Sequence, residues 1–319
     1  MAIALDLGVQ FVQMLLVLAA APLLTGYVRK VKAHLVRRQG PPLLQPYRDL
    51  IRLLRKDVVL ADTASWFFRV APYLIFAATW VAAALVPTFA TGLIFSYAAD
   101  VIAIVALLAS ARFVLALAGL DVGTSFGGIG SSREMMIASL AEPAMLMVVF
   151  TLSLLAGSTQ LSFIAAAMQA PEVGLRVSLA MALVALITVA LAENARIPVD
   201  NPATHLELTM VHEAMILEYS GRHLALIELA SQVKLVLYIS LIACVFFPWG
   251  IATAGAGASA YLGGIAVYAL KLAAAGFALG VFETLIAKMR VFRISDFLGA
   301  ALMLGLLATL LRFVSSQIG

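Results

Sequence analysis

The chain has 319 residues and a formal net charge of +4; 63% of its residues are hydrophobic and only 12% are charged. Soluble domains carry about 25% charged residues, so this composition excludes a soluble globular protein, and we expect no nucleic-acid partner. The single cysteine, Cys244, lies in an apolar run. It excludes an internal disulfide and a thiolate cluster for zinc or iron–sulfur binding. We therefore expect a polytopic membrane protein whose own residues bind no metal.

Eight apolar stretches approach the roughly 20 residues that a helix needs to cross a bilayer. They comprise residues 5–27, 69–91, 97–119, 135–157, 173–193, 226–249, 260–285 and 294–314. The first opens with Asp6 and without Lys or Arg, which predicts a retained span rather than a cleaved signal peptide. The predicted fold is all-α: a single membrane domain over residues 1–319 with about eight transmembrane helices, a surface helix and an acidic cytoplasmic loop at 194–223.

Basic residues are divided unequally between the two faces of this threading. One face receives sixteen Lys and Arg residues, and the other receives only Arg176 and Arg312. The sixteen are Arg29, Lys30, Lys32, Arg37, Arg38, Arg48, Arg52, Arg55, Lys56, Arg69, Arg133, Arg196, Arg222, Lys288, Arg290 and Arg293. By the positive-inside rule, the basic and acidic loops are cytoplasmic and both termini lie outside.

The first cytoplasmic segment has an amphipathic pattern. From Pro46 onward, Leu50, Ile51, Leu53 and Leu54 form an apolar face with basic residues mostly opposite. This pattern predicts a helix that lies flat on the membrane surface. The alternative is a basic juxtamembrane loop that is held by anionic lipid.

Two local patterns that suggest ligand binding are set aside. The glycine-rich second cytoplasmic loop, GLDVGTSFGGIGSSRE, follows a span rather than a strand, so it is not a phosphate-binding loop. Within it, Ser131 and Glu134 have the spacing of a capping box and are predicted to start the fourth span. The pair His212-Glu213 is not followed by the second His that a zinc-protease helix needs.

Ionisable residues also fall inside the predicted spans. They are Arg112, Glu142, Glu228, Lys234, Lys271 and Glu283. Arg112, Glu228 and Glu283 lie near span ends, from which long side chains reach the interface. Glu142, Lys234 and Lys271 lie deeper, and ionisable groups at such depth either pair with one another or mark proton and ion pathways.

The seventh predicted span contains a pair of small residues. Gly276 and Gly280 are four residues apart, a spacing that lets two helices approach closely. The pattern predicts a packing face on this span without identifying the partner helix.

One long interruption of the apolar sequence is both polar and acidic: AENARIPVDNPATHLELTMVHEAMILEYSG, residues 192–221. Asp200 or Asn201 is a candidate N-cap, Pro202 suits a first helical turn, and Gly221 is a typical terminating residue. These signals predict a cytoplasmic helix of about eighteen residues.

Several motifs are spread along essentially the whole chain. The acidic segment contains Ala192-Glu193-Asn194-x-Arg196-x-Pro198-x-Asp200-x-Pro202, followed by Glu207-Leu208 and Glu218-Tyr219-Ser220-Gly221. The surface-helix segment contains Arg38-x-Gly40-Pro41 with Leu44-Gln45-Pro46, the second span contains Phe68-x-x-Ala71-Pro72, and the last cytoplasmic turn contains Arg293-x-x-Asp296-x-Leu298. Together these motifs resemble the acidic loop, surface helix, second span and last cytoplasmic turn of a known family, the membrane anchor subunit shared by respiratory complex I and the complex-I-like membrane-bound [NiFe] hydrogenases.

Within the family, the sequence resembles the hydrogenase side, of the formate hydrogenlyase subunit 4 and hydrogenase-4 type. The stretches that carry this likeness are IPVDNPATHLELTMVHEAMILEYSG, LIELASQVKL and FFPWG. In complex I the acidic loop helps to form the quinone chamber. Here the gap between Glu207 and Glu218 is longer than in complex I and the preceding run differs, which argues against a quinone site.

The resemblance implies a non-redox subunit of an oxidoreductase complex in a bacterial inner membrane. It would dock the hydrogenase large and small subunits and an iron–sulfur subunit onto antiporter-like membrane subunits, and would couple electron transfer to proton or sodium translocation. The [NiFe] centre and iron–sulfur clusters would belong to those partners. The implied pathway and coupling residues are Glu142, Glu193, Arg196, Asp200, Glu207, Glu213, Glu218, Lys234, Lys271 and Glu283. The implied docking residues are Arg38, Gly40, Pro41, Gln45, Arg293 and Asp296.

Two alternative functions stay open. The first is the quinone-site membrane subunit of NADH-quinone oxidoreductase, which a bound quinone would favour. The second is a stand-alone secondary ion transporter, for which internal inverted repeats are expected. The sequence shows no convincing repeat, and its charges cluster at the predicted cytoplasmic ends of the spans.

Overall fold

The described part of the chain is an all-α membrane protein. The computed structural model describes residues 2–169, 177–200, 210–253, 255–290 and 293–318. Its α-helices are α1 Ala2–Leu35, α2 Gln45–Leu54, α3 Trp66–Leu85, α4 Val101–Asp121, α5 Ser125–Ala156, α6 Leu161–Gln169, α7 Val177–Glu193, α8 His212–Ile216, α9 Gly221–Phe246, α10 Ala258–Leu285 and α11 Ile294–Ile318. Within these ranges β-structure is confined to two isolated bridges.

Seven helices are long and apolar enough to cross a membrane: α1, α3, α4, α5, α9, α10 and α11. The eighth predicted span, at 173–193, corresponds to α7, which is apolar but has 17 described residues. The residues just before α7, 170–176, lie outside the described part. The chain is therefore a multi-pass membrane protein, with seven candidate spans in its described part.

The first helix is longer than hydropathy predicts. It continues from the expected end near residue 27 to Leu35 and has 34 residues, about 51 Å at 1.5 Å per residue. A bilayer core is only about 30 Å thick. The basic residues Arg29, Lys30 and Lys32 therefore lie on helical turns that extend past the apolar part of α1 rather than in a loop.

The predicted start of the fourth span is wrong. The Thr124 hydroxyl accepts from the Gly127 backbone N–H and caps α5, which begins at Ser125. Ser131 and Glu134 consequently lie inside the helix, and the Ser131 hydroxyl donates to the Ala116 carbonyl of α4 at 2.8 Å. The capping-box spacing was misleading because residues three apart share one face in a helix interior as well.

The glycines of this segment serve close packing rather than a loop. A Cβ atom added to Gly130 would lie 2.9 Å from the Val211 carbonyl oxygen and 2.9 Å from Met215 Cγ. α8 can therefore lie directly against α5 only because Gly130 has no side chain.

Helix α9 occupies the centre of the bundle, packed against α1, α3, α6 and α7, while α11 packs against both α5 and α7. The small-residue face predicted on the seventh span is confirmed, and its partner is α1. Cβ atoms added at Gly276 and Gly280 would approach Leu24 Cδ1 to 2.9 Å and Val31 Cγ1 to 2.8 Å.

The predicted helix in the first cytoplasmic segment is confirmed: residues 45–54 form α2. In it, Pro46 and Leu50 are buried while Arg48 and Arg52 are exposed. The Tyr47 hydroxyl donates to the Ala19 carbonyl of α1. α2 also packs against α9. Because residues 45–54 are helical, they do not form the juxtamembrane loop of the alternative prediction.

The predicted eighteen-residue helix after Asp200 is wrong in its C-terminal part. α8 has five residues and ends at Ile216, and Gly221 begins α9 instead of ending a helix. Gly221 has φ +53°, and a Cβ there would lie 2.8 Å and 2.7 Å from the carbonyl oxygens of Lys56 and Asp57. The chain therefore passes close to this neighbouring segment at Gly221. Asn201 and Pro202 lie outside the described residues.

The segment after α2 is joined to the segment before α9. The Ser220 hydroxyl accepts from the Val59 N–H at 2.8 Å and donates to the Val59 carbonyl at 2.7 Å. Tyr219 stacks on Phe68 with ring centroids 3.9 Å apart, and its hydroxyl donates to the Phe68 carbonyl at 3.1 Å. We call the end of the bundle that carries α2, α8 and these contacts the α8 end.

Candidate functional site

A buried arginine, Arg112 of α4, joins three carboxylates from two other helices. Its Nη2 contacts Glu193 at the end of α7, its Nη1 lies 3.2 Å from Glu142 Oε1, and its Nε lies 3.4 Å from Glu134 Oε1. Lys234 of α9 approaches Glu193 Oε2 to 3.3 Å. Charges removed from water must be paired in this way because an isolated one is very costly. We call these five residues the inner cluster.

The position of Glu193 explains why it takes two cations. It is the last residue of α7, where the carbonyl ends of the helix disfavour another negative charge. Two hydrogen bonds of a terminating turn then end the helix: the Ala195 N–H donates to the Ala192 carbonyl, and the Arg196 N–H donates to the Leu191 carbonyl. This Schellman turn usually has glycine at its left-handed position, but here Ala195 adopts φ +48°.

A second group of charges lies at the ends of α1 and α10. Glu283 is 5% exposed and lies 2.7 Å from Lys32 Nζ and 3.5 Å from Arg196 Nη1. Asp200 is also buried, and Lys288 Nζ donates to its Oδ1 at 2.7 Å. The other oxygen of Asp200 accepts from the Val211 N–H at 3.3 Å, which ties residue 200 to the start of α8.

Two adjoining cavities connect these groups. The outer cavity has a volume of about 370 Å³ and is lined by Arg29, Lys32, Arg196, Asp200, Glu213 and Glu228 among others. The inner cavity, of about 40 Å³, is lined by Arg112, Glu134, Glu193 and Lys234. About 10–15 Å³ of such space accommodates one water, so the inner cavity has room for a few. The exposed Arg29 side chain marks where the outer cavity reaches the surface.

Glu213 of α8 is a titratable group of the outer cavity. Burial, and then the neighbouring carboxylates of Glu228 and Asp200, raise the pKa of Glu213 to about 7. Both causes penalise the charged carboxylate. The negative charge of the cavity therefore changes near neutral pH.

The structure brings together most of the pathway residues expected from the sequence. Those that belong to the inner cluster, to the outer cavity or to the ion pairs around it are Glu142, Glu193, Arg196, Asp200, Glu213, Lys234 and Glu283. Glu207 lies outside the described residues. Glu218 is half-buried in the turn after α8 and lines neither cavity.

Lys271 is separate from this assembly. Its ammonium group donates to the carbonyls of Phe247 and Trp249, at 2.6 Å each, where α9 ends. A cation is favourable at a helix C-terminus because the last carbonyls have no intrahelical partner. Lys271 therefore caps the C-terminus of α9, at the end of the bundle opposite α8.

The docking residues expected from the sequence lie at the α8 end. Arg38, Gly40, Arg293 and Asp296 are exposed, while Pro41 and Gln45 are partly buried. Pro41 also lines the outer cavity. Gly40 needs glycine, since its φ is +67° and a Cβ would lie 2.6 Å from Ala33 Cβ.

Sequence reasoning missed Glu134, Lys32, Lys288 and His212 as members of the site. The sequence pattern predicts a helix cap for Glu134 and basic loops for Lys32 and Lys288, and it suggests His212 only as a metal ligand. A usable signal existed for Glu134, because it precedes Glu142 by eight residues and so lies near the same face of one helix. Among the described residues, no group of three or more His, Cys, Asp or Glu side chains is arranged to hold a metal ion.

The chain is similar in sequence to subunits of formate hydrogenlyase, hydrogenase-4 and NADH-quinone oxidoreductase. The chain is 32% identical to formate hydrogenlyase subunit 4 of Escherichia coli K12 over 281 residues, which is 88% of this chain and 90% of that protein. It is 34% identical to hydrogenase-4 component C of the same organism over 75% of this chain and 74% of that protein. The NADH-quinone oxidoreductase subunit 8 of Rhodothermus marinus is 30% identical over 72% of this chain and 70% of that protein.

The fold also has a solved counterpart. A chain of the membrane-bound sulfane sulfur reductase, an archaeal respiratory membrane complex, superposes with a TM-score of 0.80 at 18% identity, over 95% of this chain and 99% of the other. The family model described as NADH dehydrogenase matches residues 8–314. From this match across nearly the whole sequence, we conclude that the chain belongs to the NADH dehydrogenase family and is a complex-I-like membrane subunit.

Proposed function

We propose that this subunit anchors the soluble redox arm of a complex-I-like [NiFe] hydrogenase to antiporter-like membrane subunits, and that it couples electron transfer to proton or sodium translocation. The identities of 32% and 34% to a formate hydrogenlyase and a hydrogenase-4 subunit support the hydrogenase assignment. The observation that carries the coupling role is the pair of adjoining cavities leading from the α8 end to the inner cluster.

In this proposal the α8 end is cytoplasmic, both termini lie outside, and the membrane is the bacterial inner membrane. The basic residues of the loops at that end support the orientation. The [NiFe] centre and iron–sulfur clusters belong to the hydrogenase large and small subunits and to an iron–sulfur subunit. The departures of the acidic segment from the complex I pattern argue against a quinone site in this subunit.

Glu142 is the exit of the proposed route. Its side chain is 39% exposed on α5, whereas those of Arg112 and Glu193 are only 4% and 2% exposed. An acid on a lipid-facing helix is costly unless water or a polar partner reaches it. An antiporter-like neighbour with a titratable group opposite Glu142 satisfies this requirement and continues the route.

The proposed mechanism is a shift of charge. Arg112 binds Glu134, Glu142 and Glu193 at once. A proton added to one of these acids removes its charge and weakens its attraction to the guanidinium. The guanidinium is then attracted more strongly to the other two acids than to the protonated one. A redox event in the docked arm changes the charge at the α8 end, and the outer cavity adjusts its protonation and hydration. The response passes through Glu193 and Arg112 to Glu142 as a change in the populations of these pairings.

The test replaces Glu142 by Gln in the assembled complex. Gln keeps the size of the side chain but cannot release a proton. In inverted membrane vesicles, we expect the membrane potential generated by turnover to fall strongly, while hydrogenase activity with an artificial acceptor is retained. The potential is read with an oxonol dye, which reports proton and sodium movement alike.

The matched control is Asp6→Asn, which removes an acid from α1 far from the cavities. It should leave both activities unchanged. An unaltered membrane potential in Glu142→Gln, with the complex intact, would remove Glu142 from the route. Flavin and NADH-oxidising subunits copurifying with the tagged chain would instead support the NADH-quinone oxidoreductase alternative, and transport by the purified chain alone would support the transporter.

A further inference from the structure

The outer and inner cavities are separated by a small set of shared residues. Four residues line both cavities: Asn194, Ala195, His212 and Ser231. Asn194 and Ala195 belong to the turn that closes α7, Ser231 lies on α9, and His212 begins α8. Among the described residues, these four form the boundary that a proton passing between the two cavities would cross.

His212 is the titratable member of the four. Amide and methyl side chains do not exchange protons near neutral pH, and a hydroxyl releases one only to a strong base. Imidazole accepts a proton at one nitrogen and donates one from the other. It can thus receive a proton on the outer side and deliver it on the inner side.

The charges around His212 suit this use. Burial lowers the pKa of His212; the carboxylate of Glu134 on α5 raises it, Lys234 on α9 lowers it, and Glu228 and Asp200 raise it. Glu213 is the neighbour on α8 itself. At neutral pH the imidazole is consequently neutral, with one nitrogen free to accept a proton, while nearby carboxylates stabilise the brief imidazolium.

We infer that His212 is the proton relay between the outer cavity and the inner cluster. The inference rests on the proposed route and deepens it, because it assigns a residue to the crossing between the two cavities. Glu193 and Lys234 line the inner side of the crossing, and Glu213, Glu228 and Asp200 line the outer side. A relay here makes the route selective for protons over sodium, because an imidazole transfers no metal ion.

The experiment uses the assembled complex in inverted vesicles with three variants, His212→Gln, His212→Ala and His34→Gln. His34 is the matched control: it is exposed on α1, and its Nδ1 lies 2.8 Å from the Lys30 carbonyl of its own helix. We expect both His212 variants to lose most of the turnover-driven membrane potential while hydrogenase activity with an artificial acceptor is kept. His34→Gln should behave as the parent complex.

Chemical rescue distinguishes a relay from a structural role. Added imidazole should restore the membrane potential in His212→Ala and not in His212→Gln, whose side chain still fills the space. The potential is measured rather than the pH gradient, because imidazole is a permeant weak base that dissipates pH gradients. Loss of the potential without rescue in His212→Ala would overturn the inference and leave a packing role for the histidine.

Glu142→Gln is measured in parallel to separate the two proposals. If Glu142→Gln loses the potential and His212→Gln retains it, the relay inference fails and the proposed route stands. If Glu142→Gln and His212→Gln both retain it, the proposed route fails and the relay fails with it.

Discussion

At the scale of single residues, the sequence marks ionisable groups but not their partners. Arg112 and Glu142 stood out because charge is rare inside an apolar span. Their association with Glu193, which is far from both in the sequence, depends on how α4, α5 and α7 pack, and hydropathy contains no distances between helices. Glu134 was assigned to a cap because the local spacing fits both a helix start and a helix interior.

Glu213 provides a residue-scale prediction. Since burial and two neighbouring carboxylates raise its pKa to about 7, the group is protonated below neutral pH and ionised above it. We expect infrared difference spectra to contain a protonated-carboxyl band that disappears with a midpoint near pH 7. The Glu213→Gln variant should lack this band.

Glu218→Gln is the matched control, because it removes an acid of the same turn region that lines neither cavity. It should keep the band. A band that persists in Glu213→Gln would mean that another carboxyl titrates at this pH.

At the scale of elements, hydropathy located the membrane helices but not their ends. α1 and α5 extend well past their apolar stretches. Hydropathy missed the extra turns because those of α1 carry basic residues and those of α5 carry glycines. The turn after α7 has alanine where glycine is usual, so no composition signal marked it. The packing face of α10 could be predicted from the sequence because the four-residue spacing of its two glycines alone defines it.

The α1–α10 contact gives a prediction for an element. Gly280→Val places methyl groups where Val31 already lies 2.8 Å from an added Cβ, and overpacking of this kind costs about 1–3 kcal/mol. We expect the bundle to open at a lower temperature. The chain's single cysteine, Cys244, is buried in α9, so its alkylation in heated membranes, quantified by mass spectrometry, reports that opening.

Gly263→Val is the control on the same helix, since a Cβ at Gly263 meets nothing within 4 Å. It should leave the alkylation curve of Cys244 unchanged. Equal curves for the two variants would show that the close contact at Gly280 does not limit stability.

At the scale of the whole molecule, charge is concentrated at one end. The ion pairs described above, both cavities and the exposed residues expected to dock a partner lie at or near the α8 end. The sequence predicted this asymmetry from the distribution of Lys and Arg alone. It did not predict that the acidic segment would enclose a cavity, because the enclosing surfaces come from α1, α9 and residues of the acidic segment together.

The docking surface yields the corresponding prediction. Arg38 and Arg293 are exposed cations at the α8 end, and reversing rim charges of an interface mainly weakens association and its salt tolerance. We expect the double variant Arg38→Glu and Arg293→Glu to release the soluble subunits from washed membranes at lower salt than the parent. Immunoblotting of the wash fractions measures this release.

Tyr97→Glu introduces the same residue at an exposed position between α3 and α4, at the opposite end of the bundle. It should not change the release. Retention of the arm at all salt concentrations in the double variant would place the docking contacts elsewhere on the α8 end.

The contacts among Ser220, Val59, Tyr219 and Phe68 have a mechanical consequence. Two hydrogen bonds of the Ser220 hydroxyl to the Val59 backbone fix the segment after α2 to the segment before α9, and the stacking of Tyr219 on Phe68 fixes the latter segment to α3. Force applied to the surface helix from outside is therefore delivered at the start of α9, the helix that carries Ser231 at the boundary of the two cavities. A partner that binds α2 would therefore act on the same helix that lines the inner cavity.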